Sequence, residues 1–169
     1  MPEYPHEDIT YKVIGAAMKV HNLGPGLKEL LYHCALSTAL QDVGLSFEDE
    51  VPIQVLFDDS QAGLLYLDHL VEGVVVVEEK SLPHLLTNEE LSQVIVYLAA
   101  TAAPVGLLIN FSRRRLEYKR IFPPKKFGNW RDRAKRYAYH PSGRYPFIRS
   151  SSVADSGDPS QAVAGSEHA

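Results

Sequence analysis

Tyr66-Leu67-Asp68-His69-Leu70-Val71-Glu72-Gly73-Val74-Val75-Val76-Val77-Glu78-Glu79-Lys80 reads as two strands folded about a turn. Aliphatic runs flank the Glu72-Gly73 turn signal, so one arm carries Asp68 and the other carries Glu78, Glu79 and Lys80. Side chains alternate along a strand, hence Glu78 and Lys80 share a face and Glu79 points away. The valine run predicts a central strand buried on both sides, and three charges at the end of such a strand call for a use. A divalent cation held by Asp68 and Glu78 would relieve their repulsion, and Lys80 would orient a water or a phosphate oxygen beside it. Such a site suits phosphodiester hydrolysis. A two-residue turn would set Asp68 against Val77 and leave Glu78 on the opposite face. A three-residue loop or a bulge brings the two carboxylates together, and a bulge is the expectation. The plain alternative is a strand end entering solvent.

Around this hairpin the chain supplies helices and further strands. Ile9, Val13, Ile14, Ala17 and Val20 recur at three and four, predicting a helix from Glu7 to His21 that Leu23-Gly24-Pro25-Gly26 stops. A second helix is expected from Leu27 to Asp42, burying Leu27, Leu30, Leu31, Cys34, Ala35 and Thr38. Val51 to Phe57 alternates as a strand, with Pro52 placing its start at an edge or bulge. Asn88 is the expected cap of a helix from Glu89 to Thr101. Val105 to Phe111 and Leu116 to Phe122 read as strands joined by an Arg113-Arg114-Arg115 turn. The order α-α-β-β-β-α-β-β predicts an α/β fold, a mixed central sheet flanked by helices.

The 169 residues, 45% hydrophobic, suffice for one core, expected over residues 8–122. Charge is divided more sharply than the net of −4 suggests. Met1 to Phe111 holds 4 Lys/Arg against 16 Asp/Glu, whereas Ser112 to Arg149 holds 13 against 2. This predicts a polyanion-binding element beside a cation site, with Arg113, Arg114, Arg115, Lys125, Lys126, Arg131 and Arg133 as nucleic-acid contacts. The basic segment could equally pair with the acidic body of its own or another subunit, which leaves a homodimer open. Residues 123–149 interleave these charges with Phe127, Trp130, Tyr137, Tyr139, Tyr145 and Phe147, as a base-stacking arm would or as a partly helical arm docked on the body would. The Ser, Gly, Ala and Asp content of 150–169 predicts a disordered tail.

The single Cys34 excludes an internal disulfide, no apolar run is long enough for a membrane span, and no secretory signal is visible. A cytoplasmic protein, with nucleoid association left open, is the resulting expectation. Cys34 is expected in the core, and His21, His33, His69 and His84 lack zinc-ligand spacing and are assigned no metal. Gly24-Pro25-Gly26 is not a phosphate loop, lacking the lysine and the preceding strand.

Gly26-Leu27-Lys28-Glu29-Leu30-Leu31-Tyr32, a Gly-x-x-Glu-x-x-Tyr match preceded by Val20-His21-Asn22-Leu23-Gly24-Pro25, resembles the GxxExxY proteins. The resemblance continues through Leu67-Asp68-His69-Leu70-Val71-Glu72, Val77-Glu78-Glu79-Lys80, Gln93 to Tyr97 and Gly106 to Phe111, ending at Lys119-Arg120-Ile121. That family is placed among the PD-(D/E)xK nuclease-like proteins, whose core of a helix, a three-strand meander, a helix and a strand the expected order contains. The resemblance implies Asp68 as the acidic residue of the second strand, Glu78 and Lys80 as the E-x-K pair, and Glu29 as an additional metal carboxylate. Gln93-Val94-Ile95-Val96-Tyr97 is similar to the Gln-x-x-x-Tyr signature of RecB-like nucleases, which places Gln93 and Tyr97 near the active site and the nucleic acid. Glu79, where relatives usually have leucine, and Glu90, where they often have histidine, are departures.

Taken together, the expectation is a nuclease-like domain in which Asp68 and Glu78, with Glu29 and the Glu79 carbonyl, hold Mg²⁺ or Mn²⁺. Lys80 would position the attacking water, and Gln93 would steady the lysine or the strand. The alternative is a catalytically silent member that binds nucleic acid or a protein through its basic arm. Without the family, Glu29 reads as a solvated helix residue, Tyr32 and Tyr97 as core tyrosines, and Gln93 as a boundary glutamine.

Overall fold

The structure, a computed structural model, describes residues 4–124 and 135–141. Helix α1 (Glu7–His21) forms as its apolar stripe predicts: Val13, Ile14, Ala17 and Val20 are buried, with acidic residues in its first turn and Lys19 and His21 in its last, complementing the helix dipole. Gly24 (φ 94°) and Gly26 (φ 85°) then turn the chain through conformations that a side chain would strain.

Helix α2 (Glu29–Asp42) begins two residues later than expected and buries a different face. Tyr32, Leu36, Ala39 and Leu40 point inward, whereas Leu30 (63% exposed), Leu31 and Cys34 face outward. The helix is apolar on two sides, so periodicity alone cannot choose between them. Tyr32 chooses: its ring stacks on Phe111 at 4.8 Å and its hydroxyl donates to the Gly24 carbonyl at 2.6 Å. Cys34 is therefore not a core residue.

Strands β1 (Phe47–Phe57), β2 (Ser60–Val71) and β3 (Val75–Lys80) form an antiparallel meander. Helix α3 (Asn88–Thr101) crosses over to β4 (Val105–Asn110), which runs parallel to β3, and β5 (Glu117–Ile121) returns antiparallel beside it. The cap of α3 is Thr87 and not Asn88, because Thr87 and Glu90 close a reciprocal capping box. A short β6 (Tyr137–Tyr139) pairs with β1, giving the order β5-β4-β3-β2-β1-β6. The basic segment thus docks on the body as a strand within the described residues. Tyr137 and Tyr139 pack against the α3 side, as in the docked-arm alternative, although the docked element is a strand and not a helix.

The mixed sheet has a core on each face. Val75 and Val77 join α1 and α2 on one, and Val76 joins α3 on the other. This accounts for the valine run: β3 is buried on both sides, and Glu78 and Glu79 are buried with it. A strand end entering solvent is excluded.

Candidate active site and the cluster behind it

The hairpin closes at Val71↔Val75, leaving the three-residue loop Glu72-Gly73-Val74, in which Glu72 (φ 51°) and Gly73 (φ 67°) are both left-handed. One step beyond the His69↔Val77 pair, the same register brings Asp68 level with Glu78. The loop, and not the expected bulge, joins the two carboxylates. Asp68 also sits at a break in the β1–β2 ladder, opposite Glu50 (φ 47°). Across that break the buried side changes: Phe47 packs with the α1/α2 core, whereas Val51 and Leu67 pack with α3.

Asp68 Oδ2 accepts from the Glu79 N–H at 2.6 Å, and Lys80 Nζ donates to Glu78 Oε1 at 2.8 Å. Glu78 is 2% exposed, and its second oxygen, Oε2, is the one buried side-chain polar atom without a hydrogen-bond partner among the described residues. Burial, and then the Asp68 charge, push the Glu78 carboxyl up to about 8 in spite of the lysine. Burial and the Glu79 charge raise Asp68 to about 6. Burial opposes the Lys80 ammonium, but Glu78, followed by Glu29 and Asp68, outweighs it and raises its pKa. An orphaned buried carboxyl oxygen beside a second carboxyl group is of the kind that can serve an oxygen-liganded divalent cation.

Glu29, exposed at the start of α2, belongs to this group: its Oε2 accepts from the Ser81 N–H at 3.2 Å, and its charge acts on Lys80 and Asp68. A cleft of about 570 Å³ runs from Gly26 and Glu29 to Ser81, the residue after Lys80. Gln93 Nε2 donates to the Tyr97 hydroxyl at 3.0 Å, which donates to the Tyr66 carbonyl of β2 at 2.9 Å. Gln93 thus steadies the strand and not the lysine. Tyr97 is 1% exposed, so its burial removes it from direct contact with nucleic acid and makes it a strut of the site. Arg113 donates to the Pro83 carbonyl, and Arg114 and Arg115 are exposed in the β4–β5 turn. Lys125, Lys126, Arg131 and Arg133 lie outside the described residues. Asn110, which pattern reading missed, is buried and bonds Leu82 and His84, holding the segment that follows Lys80.

Sequence reading also missed the arrangement on the other face of β3. Glu79 Oε1 lies 2.6 Å from His69 Nδ1 and Glu79 Oε2 lies 3.2 Å from His33 Nδ1, while the two imidazoles stack at 4.4 Å. Burial works to raise the Glu79 pKa, but the bonds to His33 and His69 outweigh it and the carboxyl stays below its ordinary range. His33 is raised, chiefly by its bond to Glu79. The residues lie far apart in sequence, and only the alternation that turns Glu79 away from Glu78 hinted at the pairing.

A mixed sheet with an Asp/Glu-x-Lys set at its centre and a supporting helical carboxylate defines an α/β protein with a nuclease-like core. The chain belongs to the PD-(D/E)XK nuclease superfamily, whose family model matches residues 7–121. It is also similar over 72 residues to lipoyl synthase from Histophilus somni strain 2336 and to that from strain 129Pt, each 36% identical. That match takes in 41% of this chain and spans 22% of the length of those relatives. No solved structure matches. Among the described residues no helix is long and apolar enough to cross a membrane.

Proposed function

We propose that this protein, as a GxxExxY-type member of the superfamily, hydrolyses nucleic-acid phosphodiester bonds with Mg²⁺ or Mn²⁺. The observation that carries the reading is the unpartnered, buried Glu78 Oε2 beside Asp68. Asp68, Glu78 and Glu29 would hold the ion, which supplies charge to the scissile phosphate and acidifies a bound water. Lys80, kept protonated by three carboxylates, orients the water and stabilises charge developing on the phosphate. Gln93 and Tyr97 hold β2, and with it Asp68, in place. The basic residues beyond β4 supply affinity for a nucleic acid without sequence preference. On this reading the domain (8–122) carries the metal set and Arg113 to Arg115, the arm (123–149) adds affinity for the nucleic acid, no role falls to the tail (150–169), and a cytoplasmic setting fits.

The test is calorimetric titration with Mn²⁺ of the parent and of Asp68→Ala/Glu78→Ala, beside cleavage assays of Lys80→Ala. The binding that Asp68 and Glu78 supply should vanish in the double variant. Lys80→Ala should lose about a hundredfold or more of any cleavage with an unchanged circular dichroism spectrum. Undiminished cleavage by Lys80→Ala would sink the assignment. Absence of metal binding and cleavage in the parent would favour the second reading, a silent module that binds through its basic arm.

A further inference from the structure

We infer that His33, His69 and Glu79 form a second metal site, for Zn²⁺ or a similar borderline ion, on the face of β3 opposite the proposed active site. The three side chains come from α2, β2 and β3, and one ligand atom from each lies within 4.8 Å of the other two. Both imidazoles turn the same atom, Nδ1, toward one carboxylate, at 2.6 and 3.2 Å. Glu79 and His69 are fully buried and the His33 side chain is 12% exposed, so the cluster is closed except at the His33 edge.

A buried carboxylate needs one compensating charge, which a single protonated imidazole supplies. Two imidazoles stacked at 4.4 Å exceed that need, and protons on both would repel. One cation shared among two nitrogens and an oxygen satisfies all three groups at once. The outer nitrogen of His69 is already engaged: Nε2 lies 2.8 Å from Ser37 Oγ, which also bonds the His33 carbonyl at 3.1 Å. This outer contact fixes the ring in the manner of a metal-bound histidine. Nitrogen donors with one carboxylate suit Zn²⁺ or Co²⁺ and leave Mg²⁺ to the all-oxygen set on the opposite face. Asp49, opposite His69 in the β1–β2 register and close enough for its charge to act on His33, marks the side from which a fourth ligand would come.

The position gives the ion a structural role. It would tie α2 to the hairpin at Glu79, whose N–H holds Asp68 on the other face. A metal behind the strand would stiffen the strand that presents the catalytic set.

The experiment uses the metal-stripped full chain, titrated with Zn²⁺ by calorimetry and with Co²⁺ by visible absorption. The parent should bind one Zn²⁺ that Asp68→Ala/Glu78→Ala retains, and His33→Ala should weaken it at least about tenfold. Glu79→Gln should do the same, and in the parent the imidazole ¹⁵N resonances of His33 and His69 should shift at Nδ1 on adding Zn²⁺. That last reading needs no variant and decides the matter should Glu79→Gln fail to fold. No Zn²⁺ binding by the parent, unshifted imidazoles, or a site lost in Asp68→Ala/Glu78→Ala and kept in His33→Ala would overturn the inference. Because the double variant removes only the front carboxylates, failure of this site and failure of the nuclease reading give different results.

Discussion

Glu78 and Asp68 carry protons at pH values where an ordinary carboxyl has lost them, near 8 and near 6. An acid whose pKa is higher folded than unfolded adds stability below its unfolded value, and that contribution disappears as the pH rises through the folded value. The metal-free protein should therefore lose stability between about pH 5 and pH 8, by an amount on the order of a few kcal/mol. The raised His33 acts in the same direction, so the groups need separating. Glu78→Gln, which stays neutral throughout, should flatten most of the decline in Tm, and saturating Mn²⁺ should flatten it in the parent by favouring the ionised carboxyl. Thermal melts across that range decide the point; a slope equally steep in Glu78→Gln would place its origin elsewhere. That Glu78 and Lys80 share a face was legible from alternation; that Asp68 joins them rested on an expected bulge, where the three-residue loop does it. The fate of Glu79 was not legible, because its partners His33 and His69 are brought in by α2 and β2 and no local pattern encodes them.

At the scale of elements, α3 sits close over β4 at Gly106. A Cβ built there would lie 2.5 Å from Val94 Cγ1 and 3.5 Å from Leu98 Cδ2. Val94 is β-branched and stiff, and Leu98 flanks it, so neither can move aside at little cost. Gly106→Ala should destabilise the domain by about 1 to 3 kcal/mol, and adding Val94→Ala should recover most of that loss. Urea denaturation of the two variants measures it; a Gly106→Ala protein as stable as the parent would show that α3 can retreat. The same packing explains what could be read beforehand. Helix α1, the buried β3 and β4, and the crossover through α3 each had one apolar face or a continuous apolar run, and the pattern sufficed. Helix α2 had two apolar faces, and only the tertiary contact of Tyr32 with Phe111 selected one. The hairpin turn was likewise ambiguous by one residue: the Glu72-Gly73 signal fits a two-residue turn, whereas the strands close at Val71↔Val75 around a three-residue loop in which both of these residues are left-handed.

For the whole molecule, the division of charge is the feature with the most to say about a partner. The body up to Phe111 has an excess of 12 acidic residues, which cluster in part around the proposed metal site, while the segment after it is basic. An acidic site repels a polyanion, so on the proposed function a nucleic acid would have to be drawn in by charge elsewhere on the chain. The β4–β5 turn presents Arg114 and Arg115, and β6 anchors the returning basic segment on β1 through Ile53↔Tyr139 and Val55↔Tyr137. That anchoring makes a deletion of the whole segment a poor probe, because it would also expose the edge of β1. Charge removal that leaves β6 in place is the better one. Lys125→Ala, Lys126→Ala, Arg131→Ala and Arg133→Ala combined should weaken binding to duplex DNA of any sequence alike. If all four contact phosphates, the slope of log affinity against log salt should fall in magnitude by about 3 to 4, at roughly 0.9 for each phosphate contact. Fluorescence anisotropy over a salt series measures it. An unchanged slope would assign the basic segment to the acidic surface of this chain or a second copy, and sedimentation of parent and variant at low and high salt would then show which of the two it serves.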